Sequence, residues 1–389
     1  MALSYSRTPF AYLLLFGALY AGFGVQSPYL PRLLQEHGLR AETIGIVLAS
    51  GTAIRLFAGP LAGSIADRLD APTLVFAGCA AGAALTSVGY LAAGGFWPLF
   101  AITLLQASAL APLAPLSDSL VLAAAAPHDG QERPGFDYGW VRGAGSGAFI
   151  LGSVVSGQVV DRYGLPAIVW LNAALLGAAA LFAPAMPRLP QPEPSRCAAP
   201  VGDRGNILAL FRLPAFRRVV LVAALILSSH ALHDSFAMIR WQGAGIEAGA
   251  AGILWSESVA AEVVVFLFLG RKLLNRIGPS GAALLAAFAG MLRWGVEAET
   301  AWLPAMALIQ PLHGITFALL HLGCMQRLAE SVPPRLAATA LTVYGTLGIG
   351  AATALLILAS GSLYGAMGPS GFWVMAALCA IALPIARRL

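Results

Sequence analysis

The chain has 389 residues, of which 58% are hydrophobic and 11% charged, with a net charge of +5. Soluble domains carry roughly 25% charged residues, so the composition excludes an ordinary soluble protein. The positive balance does not mark a nucleic-acid binder either, because the basic residues collect in short gaps between long apolar runs.

Twelve such runs follow in chain order: 10–33, 43–66, 73–93, 97–124, 139–160, 165–184, 218–238, 249–270, 280–296, 301–325, 336–360 and 370–386. About 20 apolar residues suffice for one helix across ~30 Å of hydrocarbon. Continuous rather than alternating apolarity excludes a barrel. The predicted fold is an all-α membrane protein of twelve transmembrane helices in two six-helix, pseudo-symmetric halves.

The first run lacks a small-residue cleavage site and carries Tyr20, Gln26 and Pro28, like a working helix rather than a signal peptide. The second holds Arg55 near its centre and ends in Gly63-Ser-Ile-Ala-Asp67-Arg68-Leu-Asp70. A lone intramembrane guanidinium calls for a carboxylate, either Asp118 or an anionic solute. Run four ends Ala-Pro115-Leu-Ser-Asp118, and run five begins Tyr138-Gly-Trp-Val-Arg142. The two runs are antiparallel neighbours, so Asp118 and Arg142 match in depth and are expected to pair. Glycines 139, 143, 145 and 147 leave a thin helix face beside them.

A hydrophilic, proline-rich stretch of about 185–217 follows run six. It predicts an N-terminal bundle over 1–185, a cytoplasmic linker over 186–217 and a C-terminal bundle over 218–389, the linker extended and poorly packed.

Run seven carries His230, His233 and Asp234, with Trp241 just beyond it. Run eight places Trp255, Ser258, Glu262 and Phe266 on one helical face, whereas Glu257 lies about 140° away. After it comes Lys272-Leu-Leu-Asn275-Arg276-Ile-Gly278, a weak repeat of the turn at Arg68. Repeated halves are the usual architecture of secondary transporters. Run nine contributes Arg293-Trp294. In run ten, steps of three, four and four place Gln310, His313, Phe317 and His321 on one face.

A charge at bilayer depth costs at least ~2.5–3.5 kcal/mol on insertion scales and usually lines a pathway. Arg55, Asp118, Arg142, Glu257, Glu262 and Arg293, with His230, Asp234, His313 and His321, therefore describe a polar cavity for solute and protons. No His-x-x-x-His, Gly-x-Ser-x-Gly or cysteine cluster indicates an enzyme or a metal site. Cys79, Cys197, Cys324 and Cys379 are expected to be free thiols. Basic residues such as Arg68, Arg133, Arg271, Lys272, Arg276, Arg387 and Arg388 fall on one side, against Arg32, Arg40, Arg162 and Arg240 on the other. The positive-inside rule then sets both termini in the cytoplasm, in a bacterial inner membrane.

Gly63-x-x-x-Asp67-Arg68 after the second of twelve helices resembles the signature of the major facilitator superfamily, although the usual Gly-Arg-Lys continuation is absent. The resemblance implies gating contacts for Asp67 and Arg68. The stretches around Asp118, Arg142, Arg293 and His313 are similar to the lactose-permease-like branch. They imply solute binding by Asp118 and Arg142, and proton coupling through Glu262, Arg293 and His313. Thr316 stands where that branch has an acid, so Glu262 or Asp118 is expected to carry the proton. The segments at Glu262, Arg293 and His313–Phe317 also resemble the 3-phenylpropionic acid transporter branch. The expected activity is proton-coupled symport of a small organic solute, an aromatic carboxylate, by alternating access. The alternatives are a sugar or nucleoside permease, or drug efflux. Expected solute ligands are Arg55, Asp118, Arg142, Trp255, Gln310, His313 and Phe317. A monomer with no cofactor, driven by the proton gradient, completes the expectation.

Overall fold

A computed structural model describes residues 8–125, 136–186 and 204–389. Arg133, Cys197 and most of the expected linker lie outside the described residues. The described chain is helical, without a strand. Nine helical spans among the described residues are long and apolar enough to cross a membrane. Two of them, Ala248–Glu299 and Pro334–Ala386, run 52 and 53 residues, more than twice the ~20 that one crossing needs.

The contacts divide the chain into two compact units, residues 1–33 with 54–199, and 34–53 with 200–389. The stretch 34–53, expected within the N-terminal bundle, thus packs with the second unit.

The first unit draws on α1 (Thr8–Glu36), α2 (Ala41–Leu69), α3 (Pro72–Gly89), α4 (Phe96–Leu110), α5 (Leu113–Ala125), α6 (Tyr138–Tyr163) and α7 (Pro166–Phe182). Run four is thus two helices, α4 and α5, joined at Ala111-Pro112. Pro72 and Pro166 open their helices at the position where a missing N–H costs nothing. Asp137 caps α6 by accepting from the Gly139 amide at 2.7 Å. The core gathers Tyr12, Leu15, Phe16, Phe76, Leu113 and Leu176. Asn172 Nδ2 donates to the Gly22 carbonyl at 2.8 Å, and Ser87 Oγ to Asn172 Oδ1 at 2.9 Å, whereas the Tyr12 hydroxyl is buried without a hydrogen-bond partner among the described residues.

The second unit adds α8 (Arg204–Arg212), α9 (Pro214–Ile226), α10 (Ala231–Gly243), α11 (Ala248–Val264), α12 (Gly270–Glu299) and α13 (Leu303–Ile309). It ends with α14 (Leu320–Ser331), α15 (Ala337–Val343), α16 (Ala352–Met367) and α17 (Phe372–Ala386). Gly278, at φ +66°, breaks α12 just before Pro279. In the first unit Asp70 takes φ +47° before α3. Each of these left-handed residues stands two positions after the arginine of its turn, Arg276 or Arg68, so the repeat extends from sequence to backbone.

Three wide π turns interrupt helices in this unit: Val265–Leu269, Gly314–Leu319 and Tyr344–Ala351. Such turns are rare and gather at functional sites. The first half of α2 lies against α16, where a Cβ on Gly45 would come within 2.8 Å of the Gly361 Cα. Only hydrogen side chains permit that approach.

Candidate functional site

In the first unit the expected Asp118–Arg142 pair is mediated rather than direct. Tyr138 stands at the start of α6 and donates its hydroxyl to Asp118 Oδ1 at 3.0 Å, while also interacting with Arg142. The Arg142 guanidinium lies 4.8 Å from the centre of the Tyr20 ring, a cation–π contact. Tyr20 in turn packs on Phe16 and Phe23 at 5.4 and 5.5 Å. Gly145 leaves room for this wall, since a Cβ there would sit 3.1 Å from both the Phe16 and Tyr20 rings.

Arg55 makes no ion pair among the described residues; Tyr90 is its electrostatic neighbour. Its side chain is exposed. Asp67 and Arg68 are exposed at the end of α2 without an ion pair between them.

In the second unit the side chains converge on Arg293, which is fully buried on α12. Its Nη2 donates to Gln310 Oε1 at 2.8 Å and lies 3.4 Å from His233 Nε2. Its Nη1 lies 3.0 Å from His313 Nδ1. Beyond His313, the imidazole Nε2 is 3.4 Å from Glu262 Oε2. Beyond His233, Nδ1 is 3.0 Å from both oxygens of Glu297. Ser258 Oγ donates to Gln310 Oε1 at 2.6 Å, and Gln310 Nε2 is buried without a partner among the described residues.

Aromatic rings line these groups. His233 stacks on Trp255 at 5.5 Å, and His313 on Phe317 at 5.4 Å. The Arg293 guanidinium lies 4.7 Å from the Trp294 ring. His230 faces His313 edge-on at 5.0 Å and bonds Thr316 Oγ1 at 2.9 Å.

The structure therefore brings together Trp255, Glu262, Arg293, Gln310, His313 and Phe317, all expected from sequence. His321 bonds Tyr344 at 3.1 Å and has Phe266 edge-on at 6.3 Å. Glu257 lies apart from the chain of bonds. Arg240, expected outside, is buried against Phe372, with its Nε and Nη1 unpartnered. Among the described residues no group of three metal-ligating side chains forms. Sequence reasoning missed Glu297 altogether: run nine was drawn to end at 296, whereas α12 continues to Glu299. The spacing Arg293-x-x-x-Glu297, four residues along one helix face, was the available signal.

Hydrogen-bonded charges gathered inside a helical membrane protein are what a solute pathway contains. The sequence profile of the MFS_1 like family matches residues 5–375, and the chain belongs to that family of major facilitator transporters. It is 32% identical over 371 residues to a probable 3-phenylpropionic acid transporter of Escherichia coli (strain K12), covering 93% of this chain and 92% of that protein. It is 26% identical to a maltose permease of Geobacillus stearothermophilus, covering 88% of this chain and 83% of that one. Among solved structures, the nucleoside transporter NupG shares the fold with a TM-score of 0.81 at 18% identity, covering 98% of this chain and 97% of that one.

Proposed function

We propose that this transporter is a proton symporter for a small aromatic carboxylate. The observation that carries the reading is the series of close polar contacts from Glu262 through His313 to Arg293. A carboxylate tied through an imidazole to a buried cation gains or loses a proton as its neighbours move. Arg55, without an ion pair among the described residues, is the anion ligand; Asp118 and Arg142, linked by Tyr138, orient the solute. Trp255 and Phe317, both in the second unit, offer faces to a ring. Gln310 Nε2, a buried donor without a partner among the described residues, is a place for a solute acceptor. The name of the Escherichia coli relative supports the phenylpropionate class.

In this reading the chain crosses a bacterial inner membrane twelve times with both termini inside, and works as a monomer without a cofactor. The two six-helix halves, 1–185 and 218–389, alternate access about the linker 186–217, with Asp67 and Arg68 in gating contacts. The maltose permease relative supports a second reading, in which the ligand is a sugar held by Asp118 and Arg142.

The deciding measurement is external pH in a lightly buffered suspension of de-energised cells expressing the protein. Alkalinisation on adding 3-phenylpropionate, and none with maltose or a galactoside, is expected. Alkalinisation with a sugar alone sinks the carboxylate assignment.

A further inference from the structure

The second unit carries a basic surface where α9 begins and α17 finishes, and the symport reading makes no use of it. The span that opens with α9 runs 30 residues, Pro214–Gly243. At ~1.5 Å per residue it crosses the hydrocarbon and both headgroup layers, ~40–45 Å in all, so its first turn stands among headgroups. α8 is set off from this span, because Leu213, held extended ahead of Pro214 at φ −79° and ψ 116°, turns the chain.

α8 packs on α9 and α15. Leu210 is fully buried, and Phe211 meets Phe216 edge-on at 5.5 Å. Leu208, by contrast, is 61% exposed, and Arg212, one turn further along the same face, is exposed as well. At the start of α9, Arg218 Nη1 donates to the Arg388 carbonyl at 2.8 Å. This bond brings Arg387 and Arg388 to the turn that carries Arg217. Arg212, Arg217, Arg387 and Arg388 are all exposed, and none makes an ion pair among the described residues. No acidic residue stands in the first turn of α8 or of α9. Glu330, near the end of α14 and so on a helix that packs against α9, is engaged by Arg327 at 3.4 Å and by Gln326 at 2.8 Å. A carboxylate at Leu389 would offset one guanidinium and leave the rest.

Guanidinium groups gathered in this way repel one another and attract an anion. Phosphate suits them, since it accepts their paired N–H groups. An exposed leucine beside an arginine, at headgroup depth, suits a phosphate that carries an acyl chain. We propose that α8, the first turn of α9 and Arg387–Arg388 form a docking surface for anionic phospholipids of the adjoining leaflet, with the headgroup phosphate on the arginines and the acyl chain along Leu208. The inference depends neither on the solute nor on proton coupling.

The test places the purified full chain in phosphatidylcholine vesicles with spin-labelled phosphatidylglycerol or spin-labelled phosphatidylcholine as the probe. Electron paramagnetic resonance reads the fraction of each label that the protein immobilises. The wild type is expected to immobilise more of the phosphatidylglycerol, and less so as salt is raised. Arg212→Gln/Arg217→Gln/Arg387→Gln/Arg388→Gln should lose that preference. Arg271→Gln/Lys272→Gln/Arg276→Gln, at exposed basic positions on α12, should keep it. Equal immobilisation of both lipids by the wild type, or a preference that survives the fourfold variant, overturns the proposal. Equal loss in both variants does the same, since net charge alone would then account for it. Where the fourfold variant fails to assemble, Arg212→Gln/Arg217→Gln and Arg387→Gln/Arg388→Gln replace it, each expected to lose part of the preference; no change in either is the overturning result. Inorganic phosphate should displace the lipid no better than chloride at equal ionic strength, and outright displacement would make this a site for free phosphate instead. A dimer seen in sedimentation of the wild type and lost in the variant would give the face to a second copy of the chain, which also overturns the lipid assignment.

Discussion

Arg293 carries its charge into a fully buried position and directs its N–H groups to two imidazoles and a carboxamide. Removing it as Arg293→Gln strands the carboxylates at either end of the chain. Breaking a buried ionic array by deleting one partner costs about 3–5 kcal/mol, which denaturant unfolding of the detergent-solubilised protein should register. Glu262→Gln keeps the shape of its side chain and loses only the ionisable proton. It should block accumulation and spare exchange in proteoliposomes; surviving accumulation removes Glu262 from the coupling role. Arg55→Gln should abolish binding of 3-phenylpropionate yet retain that of a neutral analogue such as the amide, and equal loss of both refutes its anion role. At this scale the sequence was informative wherever a polar group interrupted an apolar run, as at Arg55, Glu262 and His313. It was silent at Glu297, because Glu297, Glu299 and Thr300 together read as the polar end of a helix. Burial of Arg240 was hidden for the same reason. Partner identity was also beyond it: nothing in the spacing said that Tyr138 would stand between Asp118 and Arg142.

Helices in this protein are set by small residues as much as by large ones. Gly314 begins a π turn and lies so close to α11 that a Cβ would sit 2.6 Å from the Ala261 carbonyl oxygen. Gly314→Ala must therefore push α11 away from the turn that holds Thr316 and Phe317. Forcing extra atoms into packed interiors costs about 1–3 kcal/mol. The substitution should lower thermal stability and, by moving Glu262 relative to His313, weaken transport even at temperatures where the protein is folded. Unchanged transport and melting would show that this contact is slack. The apolar runs made helix existence legible, since hydrocarbon leaves the backbone no other way to bond itself. Turn type was not legible. Steps of three and four assume 3.6 residues per turn, and the π turn after His313 withdraws that assumption before His321 is reached.

For the whole molecule, the repeat at Arg68 and Arg276 led to an expectation of two halves divided at the linker, whereas the contacts divide the chain elsewhere. Residues 34–53 belong by contact to the second unit, and Gly45 lies against Gly361 there. Residues 200–389 produced alone should consequently leave part of α16 bare, and should resist unfolding less well than the same fragment co-produced with 1–199. Equal stability would mean that the small-residue crossing contributes little. The three π turns bear on this family in another way. Each wide turn holds more residues than an α-helical path of the same rise, so deleting one residue there can let the helix close up without rotating everything after it. Elsewhere in a span the same deletion turns the remaining side chains by about 100° and ruins the interior. Gaps falling inside membrane spans, ordinarily taken as a fault in aligning two sequences, are thus legitimate at these three places.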